Sequence, residues 1–74
     1  MPEVDARGLK CPMPIIKLSA AVRAAGAGEE IRIVADDKGF PPDVRAWVAK
    51  TGHELVSLDE HDPTRMVAVV RTKR

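Results

Sequence analysis

Residues 8–35 of the chain read GLKCPMPIIKLSAAVRAAGAGEEIRIVA, and this stretch decides how the rest of the chain can fold. Residues 30–35 alternate β-branched with other side chains, which predicts a strand. Before them, Gly26 is a typical residue for ending a helix. The preceding segment carries apolar residues at the spacing of one helix face, namely Ile15, Leu18, Val22 and Ala25. We therefore predict a helix followed directly by a strand.

The flanking sequence predicts one further helix and three further strands. Pro41 and Pro42 open a helix that ends at Gly52 and carries Val44, Trp47, Val48 and Thr51 on one stripe, of which the first three are expected in the core. The short alternating segment at residues 3–6 predicts a strand, and residues 53–58 and 65–71 also predict strands, joined by a polar turn at residues 59–64. The predicted order is β-α-β-α-β-β.

This order predicts an α+β protein, a two-layer α/β sandwich. A strand, a helix and a strand in succession favour a parallel pair with a right-handed crossover. The last two strands are joined by a short turn and are expected to be antiparallel. We predict a mixed four-stranded sheet with both helices on one face, built from a single domain of 74 residues.

The composition excludes several classes of protein. Twelve basic and eleven acidic residues leave a net charge of +1, and the chain has one Phe, one Trp and no Tyr. Nucleic-acid binding normally needs a concentrated basic face or stacking aromatic residues, so no direct nucleic-acid partner is expected. No apolar run approaches the roughly 18 residues of a membrane span. The acidic start of the chain lacks the apolar region of a signal peptide, so a cytoplasmic location is expected.

Cys11 is the single cysteine and lies directly before a helix start marked by two prolines. We predict that Cys11 caps this helix, because Pro12 would then occupy the first helical position, where its missing N–H group costs nothing. Pro14 would still lie in the first turn, where no intrahelical donor is needed. The N–H groups of Met13 and Ile15 are expected to stay free and to face the sulfur.

Such a position predicts a thiol with a lowered pKa. A helix N-terminus stabilises an anion by about 0.3–1 kcal/mol, and Arg7 and Lys10 are expected to add electrostatic support. The thiolate, not the thiol, is the nucleophile. The opposing interpretation is that Cys11 is a small, buried, inert side chain, as lone cysteines often are.

The neighbouring residues restrict which thiol chemistry is possible. A dithiol motif is excluded because Pro14 stands where the second cysteine would be. A hydrolase needs a histidine base, and nothing in the spacing places His53 or His61 near Cys11. Carrying a sulfane sulfur as a persulfide fits one activated thiol. Two alternatives stay open, a regulatory interaction module in which Cys11 is only a helix cap and a redox-sensing thiol.

Three segments resemble the TusA/SirA family of small sulfur carriers. Residues 5–14, DARGLKCPMP, resemble its Cys-Pro-x-Pro signature, and the similarity continues at residues 28–37, GEEIRIVADD, and 51–55, TGHEL. The resemblance implies the two-layer fold and a cytoplasmic carrier that receives sulfur from a cysteine desulfurase or a rhodanese. It also implies a downstream sulfur-accepting protein in tRNA thiolation, molybdenum cofactor synthesis or sulfur metabolism.

The resemblance also implies roles for individual residues. Cys11 would carry the persulfide, Pro12 and Pro14 would shape the helix cap, and Gly8 would supply a permissive backbone before it. No metal, organic cofactor or membrane is expected, and the protein is expected to be a monomer or a weak dimer.

Two features of the sequence lie just before the second helix. Asp36 and Asp37 are expected to form a strand-to-helix turn rather than a metal site. Phe40 follows this turn and is equally consistent with an exposed anchor for a partner and with a side chain that covers the core.

Overall fold

The computed structural model describes residues 2–73 and contains the six elements in the predicted order. Each boundary lies within one residue of the sequence prediction, which is the usual uncertainty at element ends. The elements are β1 (Glu3–Asp5), α1 (Met13–Ala24), β2 (Glu30–Ala35), α2 (Phe40–Thr51), β3 (Glu54–Asp59) and β4 (Met66–Arg71).

The four strands form one mixed sheet in the order β1-β2-β4-β3. β1 runs parallel to β2, with Val4 opposite Ile33, and β4 pairs antiparallel with both β2 and β3. The predicted parallel pair and the predicted hairpin are therefore confirmed. The strand order adds that β4 lies between β2 and β3. β3 forms one edge of the sheet and has a register shift between Leu55 and Ser57.

Both helices pack on one face of the sheet, which confirms the two-layer architecture. Strand β4 alternates buried and half-buried residues, as expected when one face of a sheet is covered and the other is open. The predicted face of α1 is directed into the core, where Leu18 and Val22 are buried and Ile15 packs against them. The core also includes Ile31, Ile33, Ala35, Phe40, Val44, Met66, Ala68 and Val70.

The second helix follows its predicted stripe except at its end. Val44 is buried, and Trp47 and Val48 pack against the core. Thr51 is exposed, and its hydroxyl donates a hydrogen bond to the carbonyl oxygen of Trp47 at 2.8 Å. Val44, Trp47 and Val48 are therefore the part of the stripe that meets the core, as predicted, and the hydroxyl of Thr51 bonds to the preceding helical turn instead. Gly52 ends the helix with a left-handed φ of 82°.

Phe40 is only 1% exposed and belongs to the core. Of the two interpretations of this residue, the structure supports the one in which it covers the core. As the first residue of α2, it fixes the start of this helix against the sheet. Within residues 2–73, neither helix has the length and apolar character needed to cross a bilayer.

We expect Leu18→Ala to lower the free energy of unfolding by about 2–5 kcal/mol, because it removes a fully buried side chain and leaves a cavity. The matched control is Ile16→Ala in the same helix, where the side chain is 50% exposed and the change should stay within about 0.5 kcal/mol. Urea denaturation of both variants measures the difference. Equal losses would contradict the assignment of the buried face of α1.

Candidate functional site around Cys11

The segment between β1 and α1 carries Cys11 and lies beside the C-terminal ends of the parallel strands β1 and β2. Ala6 continues the pairing, since its N–H group donates to the carbonyl oxygen of Val34 at 2.7 Å. Gly8 then turns the chain with a φ of 82°, a left-handed conformation that L side chains rarely adopt. This conformation gives a physical basis for the permissive backbone expected at Gly8.

Two aspartates from the turn after β2 hold this segment in place. Both carboxylate oxygens of Asp36 accept the Gly8 N–H group, at 2.9 and 3.0 Å. Oδ2 of Asp37 accepts the Cys11 N–H group at 3.2 Å. These bonds join residues 28 and 26 positions apart in the chain. Asp36 and Asp37 therefore anchor the cysteine segment, a role beyond the turn that the sequence predicts.

Helix α1 begins one residue later than predicted. The first helical residue is Met13, Pro12 precedes it with φ −97° and ψ 11°, and the Cys11–Pro12 peptide bond is cis. The prediction that Cys11 caps the helix, with Pro12 at its first position, is therefore wrong. Pro14 lies in the first turn as expected and is buried.

The N–H groups expected to face the sulfur are already bonded. The Met13 N–H donates to the carbonyl oxygen of Lys10 at 2.8 Å, and the Ile15 N–H donates to that of Pro12 at 3.1 Å. Tight turns of this kind commonly satisfy the donors at a helix start. The start of α1 therefore leaves neither of these two donors for a thiolate.

Two carboxylates and one glycine surround the exposed Cys11 side chain. A Cβ atom placed on Gly39 would lie 3.1 Å from Oδ2 of Asp37, 3.8 Å from Oδ2 of Asp43 and 3.9 Å from Cβ of Cys11. The three side chains therefore converge on Gly39, which immediately precedes α2. A side chain at this position would press against the carboxylate of Asp37.

This environment raises the pKa of the Cys11 thiol above its ordinary value. The largest cause is the hydrogen-bonding interaction of the thiol with the carboxylate of Asp43, followed by desolvation and by the charges of Asp43 and Asp37. Like charges disfavour the ionised form of a group. The prediction of a lowered thiol pKa is therefore wrong, because the sequence does not reveal that two carboxylates lie beside the sulfur.

The two cations expected to support the thiolate do not act on it. Nε and Nη2 of Arg7 each donate to the carboxylate of Asp5 at 2.9 Å, and this pair lowers the pKa of Asp5. Lys10 is exposed and contributes its carbonyl oxygen to the Met13 turn. Neither cation is among the groups that shift the pKa of Cys11.

The histidines have partners of their own. His53 stacks on Trp47 with ring centroids 5.4 Å apart, and its Nδ1 accepts the Lys73 N–H group at 3.1 Å. His61 lies in the turn before β4, where its N–H group donates to Asp59. Among residues 2–73, His, Cys, Asp and Glu side chains form no group of three or more that could hold a metal ion.

Asp43 and Gly39 are the residues of the site that sequence reasoning missed. An aspartate in the first turn of a helix is common for helix stability alone, so Asp43 carries no separate signal. The sequence did contain one indication that carboxylates lie near Cys11. Parallel strands end at the same edge of a sheet, so the predicted pairing of the first two strands already placed the Cys11 segment beside the Asp36–Asp37 turn.

The family model described as Sulfurtransferase TusA matches residues 2–72. The chain belongs to this family. It is 45% identical to YrkF of Bacillus subtilis over 56 residues, which are 76% of this chain but only 30% of that protein. It is 36% identical over 58 residues to the sulfur carrier protein TusA of Allochromatium vinosum, covering 78% of this chain and 76% of that one.

A solved structure agrees with the fold. The SirA-like protein from Desulfitobacterium hafniense superposes with a TM-score of 0.85 over the whole of both chains, at 21% sequence identity. At this identity, the likeness concerns the fold. The resemblance to the TusA/SirA family and the two-layer sandwich expected from it are both confirmed.

We expect Asp36→Ala to accelerate hydrogen exchange of the Gly8 amide by roughly tenfold, because a hydrogen bond to a charged group is lost. Amide exchange followed by NMR measures this change directly. The matched control is Asp59→Ala, which removes an exposed carboxylate that accepts an N–H group only two residues away. Slower or unchanged exchange at Gly8 in Asp36→Ala would contradict the anchoring role.

Proposed function

We propose that this protein is a sulfur carrier that holds one sulfane sulfur atom as a persulfide on Cys11. Membership in the TusA family supports this function, and the placement of the thiol is the observation that carries it. The only cysteine of the chain is exposed on a segment that Asp36 and Asp37 tie to the sheet. A single, anchored, accessible thiol can present sulfur to a partner without a second cysteine to resolve it.

Loading is a transfer between two sulfur atoms. Sγ of Cys11 attacks the outer sulfur of a donor persulfide, so a new S–S bond forms while the S–S bond of the donor breaks. The donor sulfur leaves as a thiolate and takes up the proton that the Cys11 thiol has lost. The transferred sulfur keeps its oxidation state, so no external oxidant or reductant is required. Unloading repeats this exchange with an acceptor thiol.

The carrier works only while docked to its partners. One kind of bond is exchanged for another of the same kind, so little catalysis is required and presentation of the sulfur is the main task. We propose a cysteine desulfurase or a rhodanese as the donor and a downstream sulfur-accepting protein as the acceptor, in the reducing cytoplasm. Met13 and Ile16, 44% and 50% exposed, lie just beyond Cys11 and give the docking surface an apolar component.

We expect incubation with a cysteine desulfurase and cysteine to add the mass of one sulfur atom to the protein. Intact-mass spectrometry detects this gain, and treatment with a reducing agent should remove it. Cys11→Ser is the control, since it replaces the sulfur by oxygen at nearly the same size and should abolish loading.

An unchanged mass after incubation with both a desulfurase and a persulfide-loaded rhodanese would contradict the proposed function. The rival functions give other outcomes. A regulatory module in which Cys11 is only structural predicts that Cys11→Ser retains full function. A redox sensor predicts a sulfenic acid or an intermolecular disulfide under mild peroxide, without persulfide loading.

A further inference from the structure

The carboxylate of Asp43 lies in a position to control the ionisation of the sulfur. It belongs to the first turn of α2, a position that favours a negative charge because it faces the positive end of the helix dipole. The segment from β1 to α1 brings Cys11 against the start of the same helix, where Gly39 leaves room for both side chains. The Cys11 side chain and the carboxylate of Asp43 therefore lie together beside Gly39, and their interaction raises the pKa of the thiol.

The two aspartates at the site have different tasks. Asp37 accepts the backbone N–H group of Cys11 and so fixes the segment. Asp43 interacts with the side chain itself, which makes its influence on the sulfur the larger of the two. On the cysteine segment, Arg7 is paired with Asp5 and Lys10 is exposed. Of the charged groups in the neighbouring helix and turn, Asp43 and Asp37 act on the pKa of Cys11 and both are negative, whereas the exposed Lys38 of the same turn is not among them.

We propose that Asp43 is a positioning residue that holds the Cys11 thiol in its protonated, weakly nucleophilic form while the carrier is free and unloaded. A carboxylate accepts a hydrogen bond from S–H but repels S⁻, so it stabilises the thiol relative to the thiolate. This inference rests on the proposed carrier function, and it adds that the unloaded thiol is kept less reactive between transfers. The accessible sulfur stays protected from oxidants and alkylating agents while the carrier moves between partners, because both kinds of reagent attack the thiolate.

The direction of the effect follows from the sign of the pKa shift. Asp43 raises the pKa of Cys11, so removal of its charge should lower the thiol pKa and enlarge the thiolate fraction at neutral pH. Each unit by which the pKa falls raises that fraction about tenfold, while the intrinsic nucleophilicity of the thiolate falls by about threefold. The alkylation rate at pH 7 is therefore expected to rise roughly threefold for each unit by which the pKa of the thiol falls.

The test is the pH profile of Cys11 alkylation by iodoacetamide, recorded at neutral and alkaline pH on the full chain. We expect Asp43→Asn to shift the midpoint to lower pH, and Asp37→Asn to shift it less. Asp43→Glu should restore most of the wild-type midpoint, because it restores the charge. Glu60→Gln is the matched control, since it removes one exposed negative charge that pairs with Arg45 and should leave the midpoint unchanged.

Oxidation by hydrogen peroxide gives a second readout, and Asp43→Asn should form sulfenic acid several-fold faster than the wild type. Thermal unfolding establishes that each variant is folded. Asp43→Ser serves as an alternative neutral variant, because it removes the charge with a smaller polar side chain. A purely structural role for Asp43 would alter the melting temperature without moving the alkylation midpoint.

An unchanged midpoint in folded Asp43→Asn and Asp43→Ser would overturn this inference, and so would an equal shift in Glu60→Gln. Persulfide loading of the wild type separates this failure from a failure of the proposed function. If the wild type loads sulfur and the alkylation midpoint is unchanged in the Asp43 variants, only the proposed role of Asp43 is contradicted. If the wild type does not load sulfur, the proposed carrier function is contradicted, whatever the alkylation midpoints of the variants are.

Discussion

The parallel pairing of β1 with β2 is the constraint on which the site depends. Because both strands end at the same edge of the sheet, the segment after β1 lies beside the turn after β2. Asp36 and Asp37 then bond to Gly8 and Cys11 across distant parts of the sequence. Without this pairing, the cysteine would lie on an untethered loop, and Asp43 would have no thiol within reach.

The sheet and helices could be predicted from the sequence because their periodicities are unambiguous. The face of α1 that includes Leu18 and Val22 is a plain helical repeat. The sequence of β4 is a short apolar run that predicts a strand, whereas its alternation in burial comes from the helices that cover one face of the sheet. Thr51 deviates because a threonine hydroxyl at the end of a helix readily bonds to the preceding turn, which spacing alone does not reveal.

The electrostatics of the site could not be predicted in the same way. The sequence places Arg7 and Lys10 next to Cys11, whereas Asp43 lies 32 positions away. Proximity in sequence therefore suggests a cationic environment for the thiol. In the fold the environment is anionic, because Arg7 pairs with Asp5 and the carboxylate of Asp43 lies beside Cys11. Charge effects depend on through-space distance, so their sign at a site between elements requires the tertiary structure.

The register shift in β3 has a consequence for how these molecules behave in a crowded solution. β3 is an edge strand, and edge strands expose backbone groups that can pair with another chain. The shift between Leu55 and Ser57 interrupts the regular ladder of β3, and the opposite edge, β1, is only three residues long. Neither edge strand offers a long, flat template. Edge-to-edge pairing of sheets from different molecules is therefore disfavoured.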